Sequence, residues 1–356
     1  MKSIRVLVAD DSLVMRSLLR MVLASEPAIE LAGMAADGMS ALDAVQRINP
    51  DLILLDIEMP RMNGLEVLTE LQARRNTAKV IMCSTLTRRG AGITMDALAH
   101  GAIDYVTKPT GQHGAADAVA ALSMELLPKI KALFANAYSK ELRSAIQESH
   151  HAGHADVVVI GVSTGGPTAL ETLLTELPAD FPAPVVIAQH MPQVFTALLA
   201  ERLNRECALK VCEASQGMCL EAGSVYIARG DWHLEFGRLP FNNCDSYGLR
   251  LSQAKNEHFC RPSVDVLFRS AAEVYRNKVI GVVLTGMGSD GLEGCKAIRH
   301  AGGRILVQDR TSSAVWGMPG VVAEAGLAHR VLSLKAIAAE LIRCCPSGIS
   351  TSTMRR

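Results

Sequence analysis

Four β-branched residues at 157–160 run directly into a Gly-x-Ser-x-Gly pattern centred on Ser163, and helix-like sequence follows. This succession predicts a strand, a tight turn and a helix. Glycines let the backbone reverse sharply and leave room for a substrate beside the serine hydroxyl. Ser163 is therefore a candidate nucleophile at the carboxyl end of a strand. A glycine-rich loop that binds phosphate is an alternative, because the pattern alone does not separate the two.

The tip of the next predicted strand, at 185–188, distinguishes these alternatives. A dinucleotide-binding fold would have Asp or Glu there, about 20 residues after the glycines. The sequence has Gln189 and His190 instead, which favours acyl chemistry. His190 would lie at a strand end next to Ser163, and its ordinary pKa of about 6.5 suits proton transfer at neutral pH. We therefore predict His190 as the general base.

A third strand, at 279–284, ends in another glycine-rich stretch, which contains Asp290. Asp290 could accept a hydrogen bond from His190 and stabilise its imidazolium form. Equally, it could cap the helix that follows it. Backbone N–H groups of this loop could also form an oxyanion hole. His233 and His258 are rival bases, but neither follows a predicted parallel strand.

The first 110 residues alternate five times between a short apolar run and a helical pattern. This predicts a five-stranded parallel sheet with helices on both faces and its functional groups at the carboxyl ends of the strands. The polar residues at those ends are Asp10, Asp11, Asp56, Ser84 and Lys108. Clustered carboxylates favour a hard divalent cation such as Mg²⁺. Asp56 could then attack a phosphoryl group, whose charge Lys108 and the metal would neutralise.

These positions agree in order and spacing with one known family. They are Asp10 with Asp11, Asp56 followed by Met59 and Pro60, Ser84, and Lys108 followed by Pro109. Over about residues 1–110 the chain resembles the receiver domain of two-component response regulators. The resemblance implies that Asp56 is phosphorylated, with Mg²⁺ held by Asp10, Asp11 and Asp56. It also implies that Ser84, Tyr105 and Lys108 belong to the switch that reports phosphorylation.

Four stretches of the remaining chain carry a second resemblance: residues 160–167, 189–192, 261–265 and 284–291. They look like the catalytic domain of the CheB protein-glutamate methylesterase family. The resemblance implies a triad of Ser163, His190 and Asp290. It further implies that Thr164 supports the nucleophile and that the Met287 backbone is an oxyanion donor. The family often has a proline-glycine turn before the position of His233, whereas this chain has Ala-Arg-Gly-Asp-Trp at 228–232.

Together the resemblances imply a phosphorylation-activated serine esterase. It would convert γ-glutamyl methyl esters on methyl-accepting chemotaxis receptors to glutamate and methanol, and would deamidate selected receptor glutamines. A histidine kinase of the chemosensory pathway would be the phosphodonor, and the esterase would need no cofactor. We expect the unphosphorylated receiver to restrict access to Ser163. The alternative is a catalytically idle paralogue that acts as a phosphoryl sink or docking module.

The length of 356 residues fits two domains. We predict a flavodoxin-like receiver over 1–112, a helical and polar linker over 113–153, a catalytic domain over 154–345 and a flexible tail over 346–356. The catalytic domain should be a doubly wound, mainly parallel α/β domain with an antiparallel β-hairpin edge. The linker ends in a cluster of His150, His151 and His154, which we interpret as a solvated spacer.

The charge balance gives no reason to expect nucleic acid as a partner, because Lys plus Arg and Asp plus Glu number 36 each. The second half also lacks the helix-turn-helix or basic stripe of a DNA-binding regulator. No segment approaches the roughly 20 apolar residues of a membrane span, so we expect no membrane insertion and a cytoplasmic location. Nine scattered cysteines without zinc-site spacing indicate reduced thiols.

Overall fold

The computed structural model describes residues 3–109, 114–135, 155–239 and 247–346. The chain divides into two compact units, Met1–Lys140 and Glu141–Arg356. The predicted histidine cluster of the linker, His150, His151 and His154, and residues 347–356 of the predicted tail lie outside the described residues. Within the described ranges, none of the helices combines the length and the apolar character that crossing a membrane requires.

The amino-terminal unit alternates strands and helices. Its strands are β1 (Ile4–Ala9), β2 (Ile29–Ala35), β3 (Leu52–Asp56), β4 (Lys79–Ser84) and β5 (Asp104–Thr107). Its helices are α1 (Leu13–Ala24), α2 (Gly38–Ile48), α3 (Gly64–Ala73), α4 (Arg88–Ala99) and α5 (Ala115–Phe134). All strand pairs are parallel, in the order β2-β1-β3-β4-β5. This is the flavodoxin-like order, so the predicted fold class is confirmed.

Side-chain caps fix where the first four helices of this unit begin. Ser12, Asp37, Asn63 and Thr87 accept hydrogen bonds from backbone N–H groups in the first turns of α1 to α4. Such caps satisfy donors that have no partner within the helix. The cap at Thr87 explains why α4 starts at Arg88, earlier than the apolar pattern from Met95 predicts. Helix α5 packs against α1, so the described part of the predicted linker belongs to this unit.

The carboxyl-terminal unit contains a seven-stranded parallel sheet in the order β14-β13-β12-β6-β7-β9-β8. Its strands are β6 (Val157–Val162), β7 (Val185–Gln189), β8 (Lys210–Glu213), β9 (Ser224–Ile227), β12 (Val279–Val283), β13 (Arg304–Gln308) and β14 (Arg330–Leu332). A separate antiparallel hairpin consists of β10 (His233–Arg238) and β11 (Tyr247–Ser252). The helices are α6 (Gly166–Leu174), α7 (Gln193–Glu206), α8 (Val264–Tyr275), α9 (Leu292–His300), α10 (Met318–Glu324) and α11 (Leu334–Cys344).

Two features of this unit differ from the sequence-based expectation. The short alternating runs from Val211 through 225–228 predict hairpins or an antiparallel edge. The strands that contain them, β8 and β9, instead pair in parallel with each other, and β9 pairs in parallel with β7. Short apolar runs specify a strand but not its direction, which the α7 crossover sets for β8. The three-residue strand β14 was not predicted, because it is only partly buried and lacks a clear apolar pattern.

The central strand β6 positions the site. All six of its residues are buried, and it pairs with β7 on one side and β12 on the other. The chain runs from β6 to β7 in one direction and later returns to β12 on the opposite side, so the strand order reverses at β6. Open α/β sheets bind their ligands at the carboxyl ends of strands at such a point. Ser163 follows β6 directly.

Candidate active site

Hydrogen bonds from both neighbouring strands hold the backbone of the Ser163 turn. The Ser163 N–H donates to the Thr285 carbonyl oxygen across 3.0 Å. The Ser163 carbonyl accepts from the Gln189 side-chain amide at 3.0 Å and from the Gly166 N–H at 2.9 Å. Gly165 has a φ of +77°, a left-handed conformation that favours glycine. The turn is thus held in one conformation by β7 and by the loop after β12.

Gly286 allows that loop to approach the serine. A Cβ atom at this position would lie 2.8 Å from Ser163 Cβ and 2.6 Å from Met318 Sδ. Both distances are shorter than van der Waals contact. The close packing of this loop against Ser163 therefore requires glycine at position 286.

His190 follows the end of β7, the strand that pairs with β6. Strands β6 and β7 pair in parallel, with Val162 opposite Gln189. Ser163 and His190 are the next residues along these two strands, and neighbouring strands of a sheet lie about 5 Å apart. His190 Nε2 lies 2.8 Å from Asp290 Oδ2. With Nε2 donating to Asp290, Nδ1 is the ring nitrogen that this contact leaves open. In the described part of the chain, the Ser163 hydroxyl makes no hydrogen bond.

Asp290 is buried and caps a helix as well as binding His190. Its carboxylate accepts from the Ser263 hydroxyl at 2.9 Å and from the N–H groups of Val264 and Asp265 at 2.8 and 2.9 Å. These groups form the amino terminus of α8. The sequence also allowed Asp290 to cap the helix that follows it, α9, but the residue at the start of α9 is Gly291 and Asp290 does not cap that helix. The reason is spatial: α8 and α9 pack together, and Asp290 faces the neighbouring helix.

Asp265 makes the reciprocal contact, which the sequence analysis missed. Its carboxylate accepts from the Gly294 N–H in the first turn of α9 at 2.6 Å and from His258 Nε2 at 2.9 Å. Asp290 therefore caps α8, the helix that contains Asp265, and Asp265 caps α9, the helix that follows Asp290. This arrangement ties the Asp290 loop to α8, and it depends on contacts between residues 25 or more positions apart.

The two rival histidines, His233 and His258, both form hydrogen bonds with other residues of this unit. His233 is fully buried; its Nδ1 accepts from the Ser263 N–H at 3.2 Å, and its Nε2 donates to the Lys255 carbonyl at 3.0 Å. His258 pairs with Asp265. Since both nitrogens of His233 are engaged, it is a poor candidate for proton transfer to a substrate.

Charge stabilises the pair of His190 and Asp290. Burial would raise the pKa of Asp290, but His190 and the N–H groups of Val264 and Asp265 lower it to about 2. Burial would likewise lower the pKa of His190, but Asp290 and the adjacent Cys260 thiol raise it above its usual value. The contact with Cys260 was not predicted, because a cysteine before Arg261 carries no pattern that points to His190.

Two backbone groups near Ser163 are available to a developing oxyanion. Thr164 follows the serine and is buried, and Met287 lies half-buried in the loop after β12. Within the ranges that the structure describes, their backbone N–H groups donate no hydrogen bond. Unpaired N–H groups beside a nucleophile can stabilise a tetrahedral intermediate.

The amino-terminal unit brings its strand-end residues together at a second site. Lys108 Nζ lies 2.8 Å from Asp10 Oδ2 and 2.7 Å from Asp56 Oδ1. Asp10, Asp11 and Asp56 each offer a carboxylate oxygen, and these oxygens lie within 4.8 Å of one another. The buried Asp10 Oδ2 is paired in charge with Lys108 but accepts no well-aligned hydrogen bond. An oxygen-rich cluster with such an acceptor fits a hard divalent cation.

The electrostatics of this cluster reflect its burial. Burial raises the pKa of Asp56 to about 6, with Asp10 adding to the rise and Lys108 opposing it. The pKa of Lys108 is raised because the hydrogen bonds to Asp10 and Asp56 outweigh the effect of burial. A divalent cation would therefore favour the ionised form of Asp56, which is the nucleophilic one.

The predicted switch residues lie on the neighbouring strands. The buried Ser84 hydroxyl accepts from Thr94 Oγ1 at 2.7 Å and donates to the Thr85 carbonyl at 3.2 Å. Tyr105 is buried on β5, with Lys129 Nζ 5.1 Å from its ring centroid. Burial raises the pKa of the Tyr105 hydroxyl. A phosphoryl group on Asp56 could change both the buried position of Tyr105 and the hydrogen bonds of the Ser84 hydroxyl.

A cavity of about 610 Å³ lies next to Asp11 and to Ile57, the residue after Asp56. Its lining residues are Asp11, Ile57, Glu58, Met59, Pro60, Asn63, Leu65, Arg89 and Ile93.

Comparison with known proteins assigns both units. Residues 158–341 match the family described as CheB methylesterase, and residues 6–120 match the response regulator receiver domain. A protein-glutamate methylesterase/protein-glutamine glutaminase of Trichodesmium erythraeum is 43% identical over 353 residues, which covers 96% of this chain and 99% of the relative. The chain belongs to the CheB methylesterase family.

Other CheB proteins support this assignment. A protein of the same description from Nocardioides sp. is 44% identical and covers 96% of both chains. The crystal structure of the Thermotoga maritima CheB methylesterase catalytic domain matches with a TM-score of 0.51 and 41% identity. It covers 54% of this chain and 99% of that domain. The family resemblance expected from the motifs is confirmed, and with it the assignment as an esterase with a receiver in front.

Proposed function

We propose that the chain is a protein-glutamate methylesterase and protein-glutamine glutaminase that acts on methyl-accepting chemotaxis receptors and is activated by phosphorylation of Asp56. One observation carries the proposal: His190, bonded to the buried Asp290, follows the strand adjacent to the Ser163 turn, in a chain of the CheB family. That constellation of base, orienting carboxylate and strand-end serine serves acyl transfer. A histidine kinase of the chemosensory pathway is the proposed phosphodonor.

The chemistry follows from this geometry. Ser163 Oγ attacks the γ-carbonyl carbon of a glutamyl methyl ester while His190 Nδ1 takes the hydroxyl proton. The Met287 and Thr164 N–H groups stabilise the oxyanion. Collapse of the tetrahedral intermediate breaks the bond to the methoxy oxygen, which receives the proton from His190 and leaves as methanol. Water then attacks the acyl-enzyme with His190 again as base, which releases glutamate and regenerates Ser163. With glutamine, the leaving group is ammonia.

The receiver would work with a divalent cation, which we propose to be Mg²⁺. Asp10, Asp11 and Asp56 would hold it, since their oxygens cluster within 4.8 Å. The cation would neutralise charge on the incoming phosphoryl group. Lys108, already paired with Asp10 and Asp56, would contribute a second positive charge, and Ser84 would bind a phosphoryl oxygen after transfer. We propose no cofactor for the esterase.

The test is methanol release from methylated receptor membranes by the full chain, with and without acetyl phosphate and Mg²⁺. We expect release to rise with the phosphodonor. Ser163→Ala should lower it by at least about 10⁴-fold. Asp56→Asn should retain the basal rate but lose the stimulation. Because Asp56 lies in the other unit of the chain, this pair of variants separates chemistry from regulation.

The alternative, a catalytically idle paralogue, predicts the opposite result for methanol release. In that case, wild type would release no methanol while Asp56 still takes up phosphate. The shared fold and the retained serine, histidine and aspartate favour the active enzyme, and no described feature of the site favours the idle one.

A further inference from the structure

A turn beside the candidate active site presents a single exposed aromatic side chain. Phe259 is 96% exposed, more than any other large hydrophobic side chain in the described ranges. One exposed apolar residue is common on protein surfaces and carries no meaning by itself. Phe259 differs from such a residue because the turn that carries it is anchored and has an unusual backbone conformation. We refer to residues 257–260 as the Phe259 turn.

The Phe259 turn is fixed rather than loose. Glu257 and Cys260 exchange two backbone hydrogen bonds, of 3.2 and 2.8 Å. Outside the turn, Arg269 binds the Glu257 carboxylate at 2.6 Å, and Asp265 binds His258 Nε2 at 2.9 Å. The turn is therefore anchored to α8 through Glu257 and His258, the two residues that precede Phe259.

The backbone of this turn is strained. His258 and Phe259 have φ values of +50° and +61°, although neither is glycine. Side chains with a Cβ rarely adopt this left-handed region, and two in succession are rarer still. Such strain persists when surrounding contacts impose it, and it is concentrated at functional sites. Here it holds an apolar ring in solvent, which stabilises nothing within the turn itself.

The position of the turn connects it to the reaction. Cys260, the next residue, lies against the imidazole of His190. The Asp265 that anchors the turn also donates its N–H to Asp290. Beyond Cys260, Arg261 binds the Asp231 carboxylate at 2.7 Å and links the turn to the loop after β9. Phe259 thus stands on the same rigid framework as His190 and Asp290.

We propose that Phe259 is a docking residue for the protein substrate, packing against an apolar side chain of the receptor segment that carries the modified glutamate. This inference rests on the proposed function and names a contact outside the reacting groups. A side chain on the turn that also supplies Cys260, the partner of His190, can orient a polypeptide whose ester must reach Ser163. A rigid, exposed aromatic residue at the edge of a site is also typical of the anchors that dominate protein interfaces.

The experiment compares methanol release from methylated receptor membranes by full-length wild type, Phe259→Ser and Phe259→Leu. We expect Phe259→Ser to raise KM about tenfold while kcat changes by less than about twofold, because an anchor is lost and the reacting groups are not. Phe259→Leu keeps apolar area and should stay within about threefold of wild type. A wild-type KM for Phe259→Ser would overturn the proposal.

Ile342→Ser is the matched control. Ile342 is also an exposed apolar residue of the same unit, at 41%. It lies near the end of α11, where the Cys345 thiol hydrogen-bonds the backbone of Ala155 before β6, at the sheet edge opposite Ser163. Its loss should leave KM and kcat unchanged. Equal rises in KM for Ile342→Ser and Phe259→Ser would also overturn the proposal, since the effect would then follow from surface polarity alone.

A photocross-linking residue at position 259 identifies the occupant. With p-benzoylphenylalanine there, a covalent adduct with the receptor supports docking. Adducts confined to the chain itself would assign Phe259 to an internal contact and overturn the proposal. Failure of the proposed function looks different: wild type would release no methanol at all, whatever residue stands at 259.

Discussion

His190 Nε2 lies 2.8 Å from Asp290 Oδ2, so the buried carboxylate engages that ring nitrogen. In this arrangement Nδ1 is the nitrogen that we expect to serve Ser163. In the serine proteases the roles of the two ring nitrogens are reversed. The same ion pair governs how the imidazole titrates.

The esterase should therefore be most active at alkaline pH. The base must be unprotonated, and Asp290 and Cys260 raise the pKa of His190 above its usual value although burial opposes them. We expect kcat/KM for ester hydrolysis to increase with pH through a midpoint above about 6.5. Asp290→Asn should move the midpoint to lower pH and reduce the plateau by about 10³- to 10⁴-fold. A midpoint that does not shift in Asp290→Asn would contradict this account.

Asp290→Ala should destabilise the carboxyl-terminal unit. The substitution leaves the Ser263 hydroxyl and the N–H groups of Val264 and Asp265 without their acceptor. We expect the free energy of unfolding to fall by about 2 to 4 kcal/mol. Both tryptophans, Trp232 and Trp316, belong to this unit, so urea unfolding followed by tryptophan fluorescence reports on it.

Ser163→Ala is the control for that measurement, because it removes a hydroxyl that makes no hydrogen bond in the described chain. Its free energy of unfolding should stay within about 0.5 kcal/mol of wild type. If Asp290→Ala were equally mild, the capping role of Asp290 would be refuted even if the variant were inactive.

Gly286→Ala should impair catalysis by displacing the nucleophile. Its Cβ would lie 2.8 Å from Ser163 Cβ and 2.6 Å from Met318 Sδ. A shift of Ser163 by even a fraction of an ångström should lower kcat by about 10²-fold with little change in KM. Gly92→Ala is the control: it lies in α4 with nothing within 4 Å of its Cβ, and should be neutral or stabilise that helix by up to about 1 kcal/mol. Normal kcat in Gly286→Ala would mean that the loop can move aside.

Removal of divalent metal should abolish phosphorylation of Asp56. With excess chelator, we expect phosphate incorporation from acetyl phosphate, followed by intact-mass spectrometry, to fall by at least about 100-fold. Asp10→Asn should weaken the Mg²⁺ dependence, since it removes a buried carboxylate of the cluster. Asp43→Asn, an exposed aspartate on α2, should behave as wild type. Metal-independent incorporation in wild type would exclude the proposed role of Asp10, Asp11 and Asp56.

The sequence was sufficient for those parts of the site that follow strand ends. Ser163, His190 and Asp10 each come directly after a strand, and parallel strands bring their carboxyl ends to one edge of their own sheet. Contacts between distant loops had no such signal. The Cys260 thiol beside His190 and the Gln189 amide on the Ser163 carbonyl depend on how loops pack after the sheet has formed.

The same distinction explains the misassigned cap. An aspartate one residue before Gly291 suggests local capping, because capping is usually a matter of neighbours in sequence. The packing of α8 against α9 puts Asp290 at the other helix instead, 26 residues away along the chain from Val264. Strand direction at β8 was likewise set by the crossover and not by composition.

The reciprocal caps of Asp265 and Asp290 bear on how such an enzyme could lose its activity over evolutionary time. Replacement of Ser163 would cost the fold little, so drift under relaxed selection should remove the nucleophile first. Asp290 would persist, because selection for a folded domain retains it independently of catalysis. An aspartate at the position of Asp290 in a divergent homologue would therefore indicate that the pair of α8 and α9 is intact. The residue at the position of Ser163 would indicate whether activity is retained.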